Sequence, residues 1–127
     1  MRKQTHLPEQ ISKVEFHVGG FMYGYTIYTF STTDTGALLK TSSWTSPESE
    51  TVFSHYETVE FQKKIADLKT ENWKTEYAPV DVVILDGTEW ALKITYNNGQ
   101  SGEFSGDNAY PSKWDDLIDI FGYNEPE

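Results

Sequence analysis

The 127-residue chain contains no cysteine. That absence excludes disulfides, thiolate nucleophiles and cysteine-ligated zinc together. Long apolar runs are missing too, since no stretch approaches the roughly 18 residues a membrane helix needs. The opening MRKQTHLPEQISK places polar residues after its two positive charges, where a secretory signal would carry an apolar segment. A cytoplasmic protein with no membrane partner is the expectation. Basic clusters are equally scarce: 10 Lys/Arg stand against 20 Asp/Glu, a net charge of −10, and no basic run is longer than Lys63-Lys64. The excess is uneven, with 8 Lys/Arg against 10 Asp/Glu over residues 1–80 (net −2) and 2 Lys against 10 Asp/Glu over 81–127 (net −8). Such a surface repels phosphate, so no nucleic-acid partner is expected. A protein partner with a basic surface fits it better.

Catalytic signatures are lacking as well. His6, His17 and His55 have no metal-ligand spacing, and a His55–Glu57 proton-transfer pair competes with an ordinary helix-start role for both residues. Asp86 and Asp107 sit beside glycine or asparagine, where aspartate serves turns through its own backbone hydrogen bonds. Asp107, Asn108, Asp115, Asp116 and Asp119 are oxygen donors near one another, but not at EF-hand spacing. The glycines of GGFMYG and GEFSGDNAYP form neither a phosphate loop nor a dinucleotide fingerprint, and Ser101 and Ser105 lack a nucleophile-elbow context. No catalytic residue, cofactor or metal is assigned.

What is abundant is aromatic: four Trp, eight Tyr and seven Phe, 15% of the chain. They organise into elements. Val14, Phe16 and Val18 alternate with Lys13, Glu15 and His17, predicting a strand with one apolar face. Gly19-Gly20 ends it, and FMYGYTIYTFSTT predicts an antiparallel second strand. There Tyr23, Tyr25 and Ile27 share a side while Tyr28 and Phe30 fall on the opposite parity, so either both faces are covered or a bulge shifts the phase. A third strand is expected over 37–42, then a polar loop over 43–50 holding Pro47. Ser54 and Glu57 have capping-box spacing, with Thr58 as an alternative cap, and Phe61, Ile65 and Leu68 form a helical stripe with a Glu60–Lys64 pair beside it. Trp73 and Tyr77 are expected to fasten the connection that follows.

Residues 82–85, VVIL, predict a short apolar strand before an Asp86-Gly87 turn. Trp90, Leu92, Ile94 and Tyr96 then alternate with Ala91, Lys93 and Thr95, and Asn97-Asn98-Gly99 returns the chain into a partner strand over 100–105. Gly106, Asn108 and Pro111 predict a tight corner. Ser112 and Asp115 have capping-box spacing, and Trp114, Leu117, Ile118 and Phe121 form a stripe stopped by Gly122.

This cassette, carried by Asp86-Gly87, Trp90, Gly106, Asn108, Ala109, Tyr110, Pro111 and Trp114, resembles a family of small, mostly uncharacterised bacterial proteins. They have a Trp-containing hairpin, a Gly-x-Asn-Ala-Tyr/Phe-Pro corner and a C-terminal amphipathic helix. The resemblance covers roughly the second half of the chain and implies a fold, not an activity.

The sequence thus predicts an α+β fold: a single two-layer domain with a largely antiparallel sheet and two helices, near 57–70 and 112–121, packed on one face. Its boundaries are a lead-in over 1–10, the domain over 11–122 and a polar tail over 123–127. A non-enzymatic protein-interaction module using an acidic, aromatic-rich surface is the expected function, with Tyr23, Tyr25, Tyr28, Tyr56 and Tyr110 as candidate contacts. The alternatives are a small enzyme or glycan-binding domain that combines aromatic stacking with an Asp/Glu contact, and a structural assembly subunit. An exposed tyrosine-rich edge strand would allow a homodimer, against which the net charge acts.

Overall fold

Alternation in the first strand sends Val14, Phe16 and Val18 to one side, where all three are fully buried. A computed structural model describes residues 7–20, 24–78 and 88–124. Among them are seven strands, β1 (Ile11–Gly20), β2 (Gly24–Thr32), β3 (Ala37–Ser43), β4 (Ser49–Phe53), β5 (Glu76–Tyr77), β6 (Glu89–Tyr96) and β7 (Ser101–Asp107), and two α-helices, α1 (His55–Ala66) and α2 (Trp114–Phe121). The strands form one sheet in the order β4-β3-β2-β1-β6-β7-β5. Every pairing is antiparallel except β5 with β7. The expected α+β architecture, a largely antiparallel sheet with two helices, is the one observed. The VVIL segment and the Asp86-Gly87 turn lie outside the described residues, as does Tyr23.

Both helices cover the same face. From α1, Phe61 stacks on Phe30 of β2 with ring centroids 4.2 Å apart, and from α2, Phe121 stacks on Phe16 of β1 at 5.1 Å. Aromatic pairs of this kind add about 0.5–1.5 kcal/mol each beyond the burial of their area. Gln62 pins α1 to the first strand by donating from its buried Nε2 to the Ile11 carbonyl at 2.8 Å. Ser54 and Glu57 close a reciprocal capping box, the Glu57 N–H donating to Ser54 Oγ at 3.1 Å and the Ser54 N–H to Glu57 Oε1 at 2.9 Å. The helix therefore starts at His55 and not at the Thr58 alternative. It ends earlier than 70, because Lys69 takes a left-handed conformation (φ 55°); Leu68 is still buried, just past the last turn. Glu60 pairs with Lys63 at 3.7 Å, not with Lys64 as its spacing predicted.

Two further expectations change. The polar loop assigned to 43–50 is shorter, because β4 begins at Ser49 and aligns with β3, setting Glu50 opposite Lys40 and Val52 opposite Leu38. Ser112 does not cap α2: the helix begins at Trp114, its N-cap position is Lys113, and no side chain caps it. Instead the Trp114 N–H bonds to the Pro111 carbonyl at 3.1 Å, a turn that leaves the exposed Ser112 outside the helix.

Candidate functional site on the helix-free face of the sheet

The pairing of β1 with β2 runs without a register shift from Lys13↔Ser31 to Gly20↔Gly24. No bulge intervenes near Ile27, so the two parities of β2 line opposite faces. Tyr28 and Phe30 point to the helices; Tyr25 and Ile27 point to the face that, among the described residues, carries none. Tyr28 is thereby removed from the exposed tyrosines: it is 7% exposed, and its ring packs on Phe16 and Phe121. Burial pushes its hydroxyl pKa above the ordinary tyrosine value. Tyr56 stands exposed in the first turn of α1, and the half-exposed Tyr110 packs on Trp114 with ring centroids 4.7 Å apart. Tyr25, Tyr28, Tyr56 and Tyr110 therefore belong to separate places and line no common groove.

The corner after β7 is scaffold in its geometry. Asn108 adopts a left-handed conformation (φ 56°), accepts the Thr88 N–H on Oδ1 at 3.0 Å and returns its own N–H to the Thr88 carbonyl at 2.9 Å. Beside it, Trp90 Nε1–H donates to the Ala109 carbonyl at 2.9 Å. Gly106 makes room for that indole, since a Cβ there would stand 2.3 Å from Trp90 Nε1. Trp90 in turn packs on Trp73, Tyr77 and Trp114, which is how the two residues after α1 fasten their connection. Pro111 is buried.

The helix-free face is organised in cross-strand rows. One row reads Glu50, Lys40, Thr29, Glu15, Lys93, Glu103 from β4 to β7. Its charges are matched, with Lys40–Glu50 and Lys93–Glu103 both at 3.8 Å and Lys13 reaching Glu15 at 3.8 Å. The next row places Ile27, His17, Ala91 and Ser105 side by side. An open depression of about 550 Å³ lies over the β1–β6–β7 part of these rows, with Glu15, His17, Lys93, Glu103 and Glu76 on its rim.

A third row, at the end of the sheet next to the β3–β4 turn, differs in kind. It reads Tyr25, Gly19, Glu89, Asp107. Because Gly19 has no side chain, the Tyr25 ring crosses β1 and its hydroxyl donates to Glu89 Oε2 at 3.0 Å. On the other side of Tyr25 stands Trp44, edge to face at 5.3 Å and 70% exposed. Glu89 is directly opposite Asp107, and among the described residues no lysine or histidine forms an ion pair with either. Trp44, Glu89 and His17 were not singled out as contacts by sequence reasoning. A lone tryptophan in a Ser/Thr/Pro segment was the available signal for the first; the others needed the register.

A second cavity, about 560 Å³, lies on the helix side between the end of α1 and the β6–β7 hairpin, lined by Ile11, Ile65, Thr70, Glu71, Tyr96 and Phe104 among others. Burial raises the Tyr96 hydroxyl pKa; a hydrogen bond with Thr70 acts the other way, and the charge of Glu71 adds to the rise. Among the described residues no group of three His, Asp or Glu side chains is placed to hold a metal ion, and no helix is long and apolar enough to cross a membrane.

No family model matches the chain, and neither the curated proteins nor the solved structures contain a match. The functional reading therefore rests on the geometry of the molecule.

Proposed function

We propose that the protein is a non-enzymatic interaction module that docks a protein partner with a basic surface on the helix-free face of its sheet. One observation carries this reading: Trp44, a residue type that dominates contact energies at protein interfaces, is held 70% exposed against Tyr25 on a face that no helix of the described residues covers. Ile27 and Val52, also exposed on that face, extend the apolar part. The chain's charge of −10 favours a basic partner and speeds its encounter. The test is quantitative capture from a cell extract by the wild-type protein and by Trp44→Ala at several ionic strengths, followed by titration of the purified candidate. A partner that binds wild type and loses at least tenfold in affinity to the variant, with an unchanged melting temperature, supports the reading. If every captured protein binds both forms equally, the reading falls.

A second reading, a small enzyme or glycan-binding domain, is favoured by the helix-side cavity. There Tyr96 and Phe104 offer rings and Glu71 a carboxylate within a volume of about 560 Å³, inside the range of small-molecule sites. A sugar or small-ligand screen that shifts Tyr96 and Phe104 resonances, and leaves Trp44 unmoved, would replace the first reading with this one.

A further inference from the structure

Resting on the docking reading, we infer that the row Trp44–Tyr25–Glu89–Asp107 receives an arginine side chain of the basic protein partner. Three features of the row fit that group. Glu89 and Asp107 are directly opposite on β6 and β7, where like charges repel and their backbones stand about 4.5–5.5 Å apart. A planar guanidinium, with five donors in a fixed fork, suits two carboxylates carried side by side on opposed residues. The acceptors are only partly occupied: Glu89 Oε2 accepts from the Tyr25 hydroxyl at 3.0 Å and Asp107 Oδ1 from Asn108 Nδ2 at 3.3 Å. Tyr25 and Trp44 supply ring faces and edges along the approach, suited to an alkyl stem and to cation–π contact.

Charge distribution singles out this row. Elsewhere on the same face Glu15, Glu50 and Glu103 each have a lysine at 3.8 Å, and Glu76 stands beside Ser105 with no second carboxylate opposite it. Glu89 and Asp107 form no ion pair among the described residues, so a cation arriving at this end displaces none of the described lysines or histidines. The aromatic pair lies at the same end, and Gly19 is what lets Tyr25 join the two halves.

The experiment uses the whole 127-residue chain, isotope-labelled, titrated with a capped Gly-Ser-Arg-Ser-Gly peptide and with its citrulline and lysine counterparts. One arginine is used because a longer basic peptide would bind any protein of this charge. The arginine peptide is expected to shift the Trp44 indole and the Tyr25 and Glu89 amides saturably. Glu89→Gln and Trp44→Ala should each weaken it by roughly two- to fivefold, the scale of an exposed cation–π or ion contact, while Trp44→Phe, which keeps a ring, loses less. Glu50→Gln removes the same charge from the other end of the face and should leave affinity unchanged. Equal binding of the citrulline peptide, equal losses for Glu50→Gln and Glu89→Gln, or no shift at Trp44 would each overturn the inference. A lysine peptide binding as tightly would overturn the choice of arginine. If the captured partner still depends on Trp44 while the arginine peptide fails, the docking reading stands and this inference alone falls.

Discussion

The Tyr25 hydroxyl donates to Glu89 Oε2 at 3.0 Å across a strand that lies between them. Tyr25 pairs with Gly19 and Gly19 with Glu89, so the contact exists because the middle residue of the row has no side chain. Gly19 is also closed to any larger residue, as a Cβ there would lie 2.2 Å from the Gly24 carbonyl oxygen. This row joins the aromatic edge of β2 to the unmatched carboxylates of β6 and β7, and it is the part of the molecule on which both proposals rest.

Gly19→Ala is expected to lower stability by about 2 kcal/mol or more, because backbone must shift to relieve the overlap. Tyr25→Phe keeps the ring and removes the solvent-exposed bond to Glu89, so its cost should stay within about 0.5 kcal/mol. Urea unfolding of the two variants checks the contrast; equal costs would mean that the hydroxyl, not the close approach, holds the row.

At the corner, Trp114→Ala removes a buried ring that touches Phe16, Trp90 and Tyr110 and should cost about 3–5 kcal/mol. Asn108→Ala leaves the Thr88 N–H without its acceptor and puts alanine at φ 56°, for about 1–3 kcal/mol. Chemical denaturation measures both. A change in partner binding with undiminished stability would instead assign Asn108 to a contact surface.

The two helix starts should respond differently. Ser54→Ala breaks a reciprocal capping box and is expected to cost about 1 kcal/mol. Ser112→Ala removes no cap and should change stability by less than about 0.5 kcal/mol. Paired thermal melts of these variants decide it.

Alkaline pH should weaken the fold. Burial raises the hydroxyl pKa values of Tyr28 and Tyr96 above the ordinary 10.0, so above pH 10 the unfolded chain releases protons that the folded one still holds. Their contribution is present in full below pH 10 and is lost as pH rises through the higher folded values. The urea midpoint is expected to hold up to about pH 10 and to fall above it, less steeply in Tyr28→Phe; a midpoint independent of pH there would contradict the burial of both hydroxyls.

Local pattern in the sequence determined much of this protein. Period-two alternation at Val14, Phe16 and Val18 and again at Trp90, Leu92 and Ile94, the Asn97-Asn98-Gly99 return, the Ser54–Glu57 box and the Trp114–Phe121 stripe are properties of neighbouring residues, and backbone geometry translates them directly into strands, a turn and helices. Tertiary structure alone decided the rest. Parity could place Tyr25 opposite Tyr28 but not say which of them the helices would cover; that followed from Phe61 and Phe121 packing on the same side as Phe30 and Phe16. β4 forms because β3 offers it a backbone edge to pair with from Ala37↔Phe53 to Thr41↔Ser49, and the missing cap at Ser112 follows from the turn closed on Pro111. Most of all, Tyr25 and Glu89 are 64 residues apart in the chain. They meet only because β1 lies between β2 and β6, a strand order that no local period encodes, since pairing depends on which distant faces bury one another.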